Sequence, residues 1–195
     1  MQKIQTSKFI FSKQAKRLPE IIPLDEEFAY ILGLWKADRC STAKGIVGLK
    51  NKDEELLKVF RNFIEKIKLE VKERTVEGYG QTKEVYCCSM PLRRIFEYVS
   101  ANRVKIFSNK QLILSYLAGI IDGDGSGGDN SHLVIFYSRD EMEEVKKDSQ
   151  LIKKLGFDTT IKIKSNHIRL YVLKPSQLIR NLWPFILLKR KFMAA

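Results

Sequence analysis

The sequence predicts an α+β fold built from two tandem halves, each reading αββαββα. Three observations carry this. A ten-residue segment recurs 86 residues later, the same order of helix and strand signals follows each copy, and the strand candidates alternate an apolar with a basic face.

The first copy reads Ala29-Tyr-Ile-Leu-Gly-Leu-Trp-Lys-Ala-Asp38 and the second Ser115-Tyr-Leu-Ala-Gly-Ile-Ile-Asp-Gly-Asp124. Gly33 matches Gly119 and Asp38 matches Asp124 at one offset (119 − 33 and 124 − 38). Asp25-Glu-Glu places negative charge at the positive end of the first of these helices. A short apolar strand follows each copy, Gly45–Lys50 and Leu133–Arg139, then a charged helix, Asp53–Lys68 and Asp140–Leu155. Next come paired strands, Val71–Val76 with Glu84–Ser89 and Thr160–Lys164 with Ile168–Leu173. Pro91 and Pro175 each open a closing helix, where a missing N–H is harmless. The first strand of each half is weak in sequence. Ser100–Phe107 reads as a linker, and Ser108-Asn-Lys-Gln111 as a capping box. Residues 1–24 are basic and aperiodic, so a phosphate-lying arm or an unstructured end is expected. The expected boundaries are an arm at 1–24, a first half at 25–101, and linker plus second half at 102–195.

Composition narrows the partners. A net charge of +12 favours a polyanion. Without a long basic amphipathic helix, nucleic acid is favoured over an anionic membrane. No apolar run is long enough to span a bilayer and the N-terminus lacks an apolar signal core, so an intracellular protein is expected. Cys40, Cys87 and Cys88 form no metal-binding spacing, and the histidines are only His132 and His167, so no zinc site is expected. The thiols are expected to be buried or half-buried, and both histidines to be ordinary surface or core residues. Trp35 and Trp183 are expected to fill core space. Asp122-Gly-Asp-Gly-Ser-Gly127 begins like a calcium loop but has Leu133 where a bidentate Glu is needed. Gly123, Gly125 and Gly128 spell a dinucleotide fingerprint, but after a helix rather than a strand.

The repeated segment has a physical logic. Glycine inside a helix costs about 1 kcal/mol relative to alanine. Two copies carrying it at the same point, Gly33 and Gly119, imply a close helix–helix contact. Tyr30, Leu34 and Ala37, like Tyr116, Ile120 and Gly123, lie about one turn apart. Each helix ends on an aspartate, the wrong charge for a negative dipole end. Packed side by side, the two carboxylates converge and require protons or a divalent cation. Their hard oxygens favour Mg²⁺, Mn²⁺ or Ca²⁺. Such a metal can activate water against a phosphodiester.

Leu117-Ala-Gly-Ile-Ile-Asp-Gly-Asp-Gly125 resembles the LAGLIDADG motif of homing endonucleases, and Leu32-Gly-Leu-Trp-Lys-Ala-Asp38 resembles a divergent first copy. The resemblance covers about residues 28–188. It implies a monomeric, pseudo-two-fold fold with a central two-helix interface and two antiparallel-sheet saddles in the DNA major groove. It implies a site-specific double-strand endonuclease that serves intron homing and leaves short 3′ overhangs at a long, imperfectly palindromic site. Mg²⁺ is the implied cofactor, with Mn²⁺ able to substitute and Ca²⁺ binding without supporting cleavage. Asp38 and Asp124, with Ala37 and Gly123, would be the metal-binding residues. Lys50 or Lys52 in the first copy and Arg139 in the second would orient water. Lys44, Lys50, Lys52, Lys72, Arg74, Lys83, Arg139, Lys162, Lys164 and Arg169 would lie on DNA. Asp122, matched by Lys36, is read as structural, and Arg39 in place of the motif's last glycine gives the first helix a different ending. The alternative is an RNA-splicing maturase or a DNA-binding regulator on the same fold without cleavage. An intein-embedded domain is disfavoured for want of room for splicing blocks.

Overall fold

The computed structural model describes residues 2–10, 18–40, 45–76, 82–128 and 132–189. Lys44 lies outside them, as does the side chain of His132. Strand β1 (Gln2–Gln5) pairs antiparallel with β2 (Ile21–Leu24), ahead of helix α1 (Glu26–Asp38). The first sheet holds β3 (Ile46–Asn51), β5 (Thr82–Cys88) and β4 (Lys72–Val76), in that order. The second holds β6 (Gly125–Gly128), β7 (His132–Ser138), β9 (His167–Val172) and β8 (Thr159–Ile163). All pairings are antiparallel. Helices α2 (Glu54–Lys66) and α3 (Met90–Ile106) belong with the first sheet; α4 (Lys110–Asp124), α5 (Met142–Lys154) and α6 (Ser176–Leu182) belong with the second. Each half thus keeps the expected order. In the first, the strand after α1 is reduced among the described residues to one bridge, Arg39 to Leu49.

The local reasons are those of helix ends. The Asp25 carboxylate accepts from Phe28 N (2.9 Å), Asp53 caps α2 by accepting from Glu55 N (3.1 Å), and Ser89 caps α3 with Pro91 in the first turn. The expected box on Ser108 is not formed: Asn109 caps α4, accepting from Gln111 N at 2.7 Å. One residue of shift suffices because Asn is as good a cap as Ser. The expected linker at 100–107 is also corrected. Residues up to Ile106 continue α3, because Val99, Ser100 and Arg103 fall on its buried side.

Of the two expectations for residues 1–24, the unstructured end is overturned for those described. Strands β1 and β2 pair, and Leu18, Ile22 and Leu24 are buried in the core. Ile22 and Leu24 lie on a strand too short to display a period, and Leu18 lies ahead of it. Cys40 and Cys87 are buried, whereas Cys88 is exposed on the opposite face of β5, contrary to the expectation for that thiol. Burial, then the Glu84 charge, raises the Cys40 thiol to about 11, and burial raises Cys87 to about 12. Both therefore stay thiols at neutral pH. Trp35 fills the core, edge-on to Phe96, while Trp183 is only half-buried.

The centre of the molecule is the α1–α4 crossing. A Cβ on Gly33 would overlap the Tyr116 carbonyl oxygen and stand 3.0 Å from Ile120 N. A Cβ on Gly119 would overlap the Tyr30 carbonyl oxygen and stand 2.7 Å from Leu34 N. Tyr116 and Ile120 are the repeat counterparts of Tyr30 and Leu34, so the contact is reciprocal and the two halves are related by a pseudo-two-fold axis through it. Backbone cannot rotate aside as a side chain can. Gly119→Ala therefore sets a gain of about 1 kcal/mol in helix propensity against an overlap with main chain. A net loss of about 2 kcal/mol is expected. The urea midpoint measures it, and an unchanged or higher midpoint would contradict the close crossing.

Candidate active site

Both helices deliver their last residue to the same end of the crossing. Asp38 and Asp124 are each half-buried. One turn of geometry links them: a Cβ on Gly123 would overlap that of Ala37 and lie 2.8 Å from Asp38 Oδ2. The Asp38 carboxylate therefore rests against the residue next to Asp124. Ala37 and Gly123 act here as spacers whose smallness lets the two acids approach.

The acids open onto separate clefts. Asp38 shares one of about 430 Å³ with Lys50, Asn51, Lys52, Asp53, Thr82, Asp122, Gly123 and Leu188. Asp124 shares one of about 410 Å³ with Lys36, Ala37, Arg39, Phe136, Tyr137, Ser138, Glu141, Asn166 and His167. The repeat offset maps Lys50, Asn51 and Lys52 onto Phe136, Tyr137 and Ser138. Equivalent positions line the two clefts, but with different chemistry.

Asn51 is the residue that sequence reasoning missed. Its amide donates to Asp38 Oδ2 at 2.7 Å. Alternation from buried Val47 and Leu49 carries Asn51, rather than Lys50 or Lys52, to the helix side of the sheet, where Asp38 hangs. Lys50 and Lys52 nonetheless line the same cleft. In the second half Tyr137 takes the place of Asn51, but its hydroxyl donates to Asp148 (2.9 Å) instead. Arg139 lies one residue past the cleft wall and donates to the Ser165 carbonyl (3.1 Å). Cations come to this cleft from the other helix: Arg39, and Lys36, which bonds Glu144 at 3.0 Å. His167, expected to be an ordinary histidine, faces into it. Its Nε2 accepts from Arg169 Nε at 2.7 Å, which fixes the neutral ring as the Nδ1–H tautomer.

The sheet faces away from the helices carry most of the predicted basic residues. Pairing puts Lys50, Lys72 and Arg74 on the outer face of the first sheet with Glu84 and Tyr86. Arg74 donates to Glu84 (2.5 Å) and lies over the Tyr86 ring. Lys83 faces the other way and pairs with Glu54 at the start of α2. On the second sheet Lys162 and Arg169 are cross-strand partners on the outer face. Lys162 lies over Tyr171 (4.9 Å) and Arg169 over Phe136 (5.4 Å), while Lys164, just beyond β8, is exposed. The Arg169 hydrogen bond lowers the Tyr171 hydroxyl below its usual range. One outer face thus carries a self-neutralising pair and the other a stack of cations and rings.

No family model matches the chain. It is 25% identical to a subunit of the A-type ATP synthase of Methanopyrus kandleri over 138 residues, which is 70% of this chain. It is 29% identical to the Rpo1C component of the DNA-directed RNA polymerase of Methanocaldococcus jannaschii over 119 residues, or 57% of this chain. The chain spans 14% of the length of each of these curated relatives. Among solved structures it is similar to I-DmoI in complex with DNA and Mn, with a TM-score of 0.65 at 19% identity, covering 82% of this chain and 97% of that one. The homing endonuclease I-WcaI bound to its DNA recognition sequence gives 0.65 at 14% identity, covering 98% and 99%. The N-terminal LAGLIDADG domain of DUF199/WhiA gives 0.63 at 16%, covering 87% and 88%. At these identities the likeness is one of fold, and that fold is the LAGLIDADG one.

Proposed function

We propose that this chain, built on the LAGLIDADG fold, is a site-specific double-strand DNA endonuclease that hydrolyses one strand at each of Asp38 and Asp124 with divalent metal. The observation that carries the reading is the pair of half-buried aspartates, brought together by the glycine crossing and each opening onto its own cleft. The basic and aromatic outer sheet faces support a duplex as the polyanion, read through base edges in the major groove. The I-DmoI neighbours were solved with DNA and Mn or Ca, and I-WcaI on its DNA recognition sequence, which supports the same partner here.

The donor set fits a hard cation. Among the described residues no group of three or more His, Cys, Asp or Glu gathers. Two carboxylates beside helix-end carbonyls leave most positions to water and phosphate oxygens, which is how Mg²⁺ is usually held. When bound, the metal would lower the pKa of an attacking water and stabilise the leaving oxygen. The chain's own residues do the rest. Asn51 fixes the Asp38 carboxylate, Lys50 and Lys52 offset phosphate charge in that cleft, and Arg39 does so beside Asp124. Short 3′ overhangs, a long imperfectly palindromic target, monomeric action, and Mn²⁺ in place of Mg²⁺ belong to the same reading. The shared stretch covers a small part of two relatives named for unrelated activities, which supports a portable unit.

The unlike second centre, with Tyr137 in place of Asn51, favours one rival: a maturase or regulator that binds without cutting. Incubation with a randomised duplex library and Mg²⁺, followed by sequencing of ends, separates the two. The nuclease yields paired cuts, offset between strands, within one long motif. Retention of duplex with no new ends in Mg²⁺ or Mn²⁺ selects the rival.

A further inference from the structure

Asp122 is a buried carboxylate, 1% exposed, two residues from the end of α4. The nuclease reading does not use it. Its Oδ2 accepts from the Tyr30 hydroxyl (2.7 Å) and from Leu187 N (2.8 Å), and its Oδ1 accepts from Leu188 N (3.0 Å). Burial, then the charge of Asp122, raises the Tyr30 hydroxyl far above its usual range, so that it stays a donor. The two N–H groups belong to the segment after α6, which thereby crosses the end of the helix pair. Leu188, itself buried, lines the cleft of Asp38 together with Asp122 and Gly123. It does not line the cleft of Asp124.

The repeat counterpart of Asp122 is Lys36, which lines the opposite cleft and pairs with Glu144 (3.0 Å) and Glu141 (3.9 Å). Each motif helix therefore builds a wall of the other motif's cleft. One wall is a charged cluster, and the other is a segment of main chain held by two hydrogen bonds to Asp122.

We infer that Asp122 is a positioning residue for the Asp38 centre: it latches residues 187–188 as the wall that shapes that cleft, so its loss impairs cutting of one strand selectively. The inference rests on the nuclease reading. A catalytic aspartate on the second motif would serve its own centre, whereas Asp122 serves the centre of the first. Asparagine is the informative change. Its amide nitrogen cannot accept, so one of the two N–H groups must lose its partner, while size and burial are kept.

The test uses the full chain and a cognate duplex labelled on both strands. For Asp122→Asn we expect the strand cut at the Asp38 centre to slow at least tenfold relative to the other. That strand is identified as the one spared by Asp38→Asn. A second readout is independent of turnover. In the wild type Mn²⁺ is expected to broaden the Leu188 methyl resonances, and in Asp122→Asn that broadening should weaken while the Leu187 or Leu188 amide exchanges faster. Should Asp122→Asn fold poorly, Tyr30→Phe, which removes one donor to the same carboxylate, is expected to shift the strand ratio in the same direction. Equal slowing of both strands, or unchanged strand ratios and Mn²⁺ broadening, would overturn the latch while leaving the nuclease standing. A wild type that cuts neither strand would remove both.

Discussion

Replacing Asp124 by asparagine is expected to abolish double-strand cleavage while changing DNA affinity by no more than a few-fold. Asparagine keeps the shape at the end of α4 but loses the charge that would hold a cation against phosphate. The loss should be of the order of 10³-fold in rate for the strand concerned, the scale seen when one stabiliser of developing charge is removed. Asp38 remains in its own cleft with Asn51, so the variant should still nick the other strand. Supercoiled plasmid carrying the target distinguishes the outcomes: wild type gives linear product, Asp124→Asn gives open circles, and Asp38→Asn gives open circles nicked in the opposite strand. Linear product from Asp124→Asn at the wild-type rate would remove this carboxylate from the chemistry.

The second large effect is on stability. Arg103 is fully buried on α3. Its Nε donates to Asp148 Oδ1 (2.7 Å), and its two amino groups reach the Ser100 carbonyl, the Glu144 carboxylate and the Glu144 carbonyl. Tyr116 and Tyr137 add their hydroxyls to Asp148 at 3.1 and 2.9 Å. Among the described residues, Arg103 is the cation that pairs with Asp148. Arg103→Met should cost about 3–5 kcal/mol, because it strands a buried carboxylate. In Arg103→Met with Asp148→Asn the stranded charge is gone, and part of that loss should be recovered. Chemical denaturation of both variants checks this, and a double variant no more stable than the single one would refute the cause.

The same cluster sets an acid limit. Burial alone would raise the Glu144 carboxyl, but the charge of Arg103, with Lys147 and Lys36, holds it at about 2 instead of 4.5. A depressed folded pKa contributes stability that is present above the unfolded value and lost as pH falls from 4.5 towards 2. That contribution is on the order of 3 kcal/mol. In Arg103→Met the loss should begin at higher pH, seen as an upward shift of the acid unfolding midpoint.

Much of the centre was legible because it is written twice. Gly33 with Gly119 and Asp38 with Asp124 hold one offset, and neither pair is explained by an ordinary amphipathic helix. The flanking strands were legible by alternation, although their ends were not. Strand β3 runs one residue past its expected limit, and in a strand one residue exchanges the two faces. That is why Asn51 was passed over for its neighbours, and why Arg139 was favoured over the residues that line the second cleft. Arg103 was hidden for another reason. Its partners lie on α5, some forty residues away, and a charged residue in a helix gives no sign in sequence of facing inward. The β1–β2 pair was illegible because two four-residue strands, one containing Pro23, hold no period to count.

Arg103 also bears on any attempt to recombine the molecule. By sequence α3 closes the first half, yet its deepest side chain is anchored in α5 of the second. A chimera joined at the short stretch between α3 and α4 would present that cation to a foreign acceptor set. Exchange of halves with a relative should therefore succeed only when α3 travels with the C-terminal portion, or when a matching carboxylate at the position of Asp148 comes with the graft.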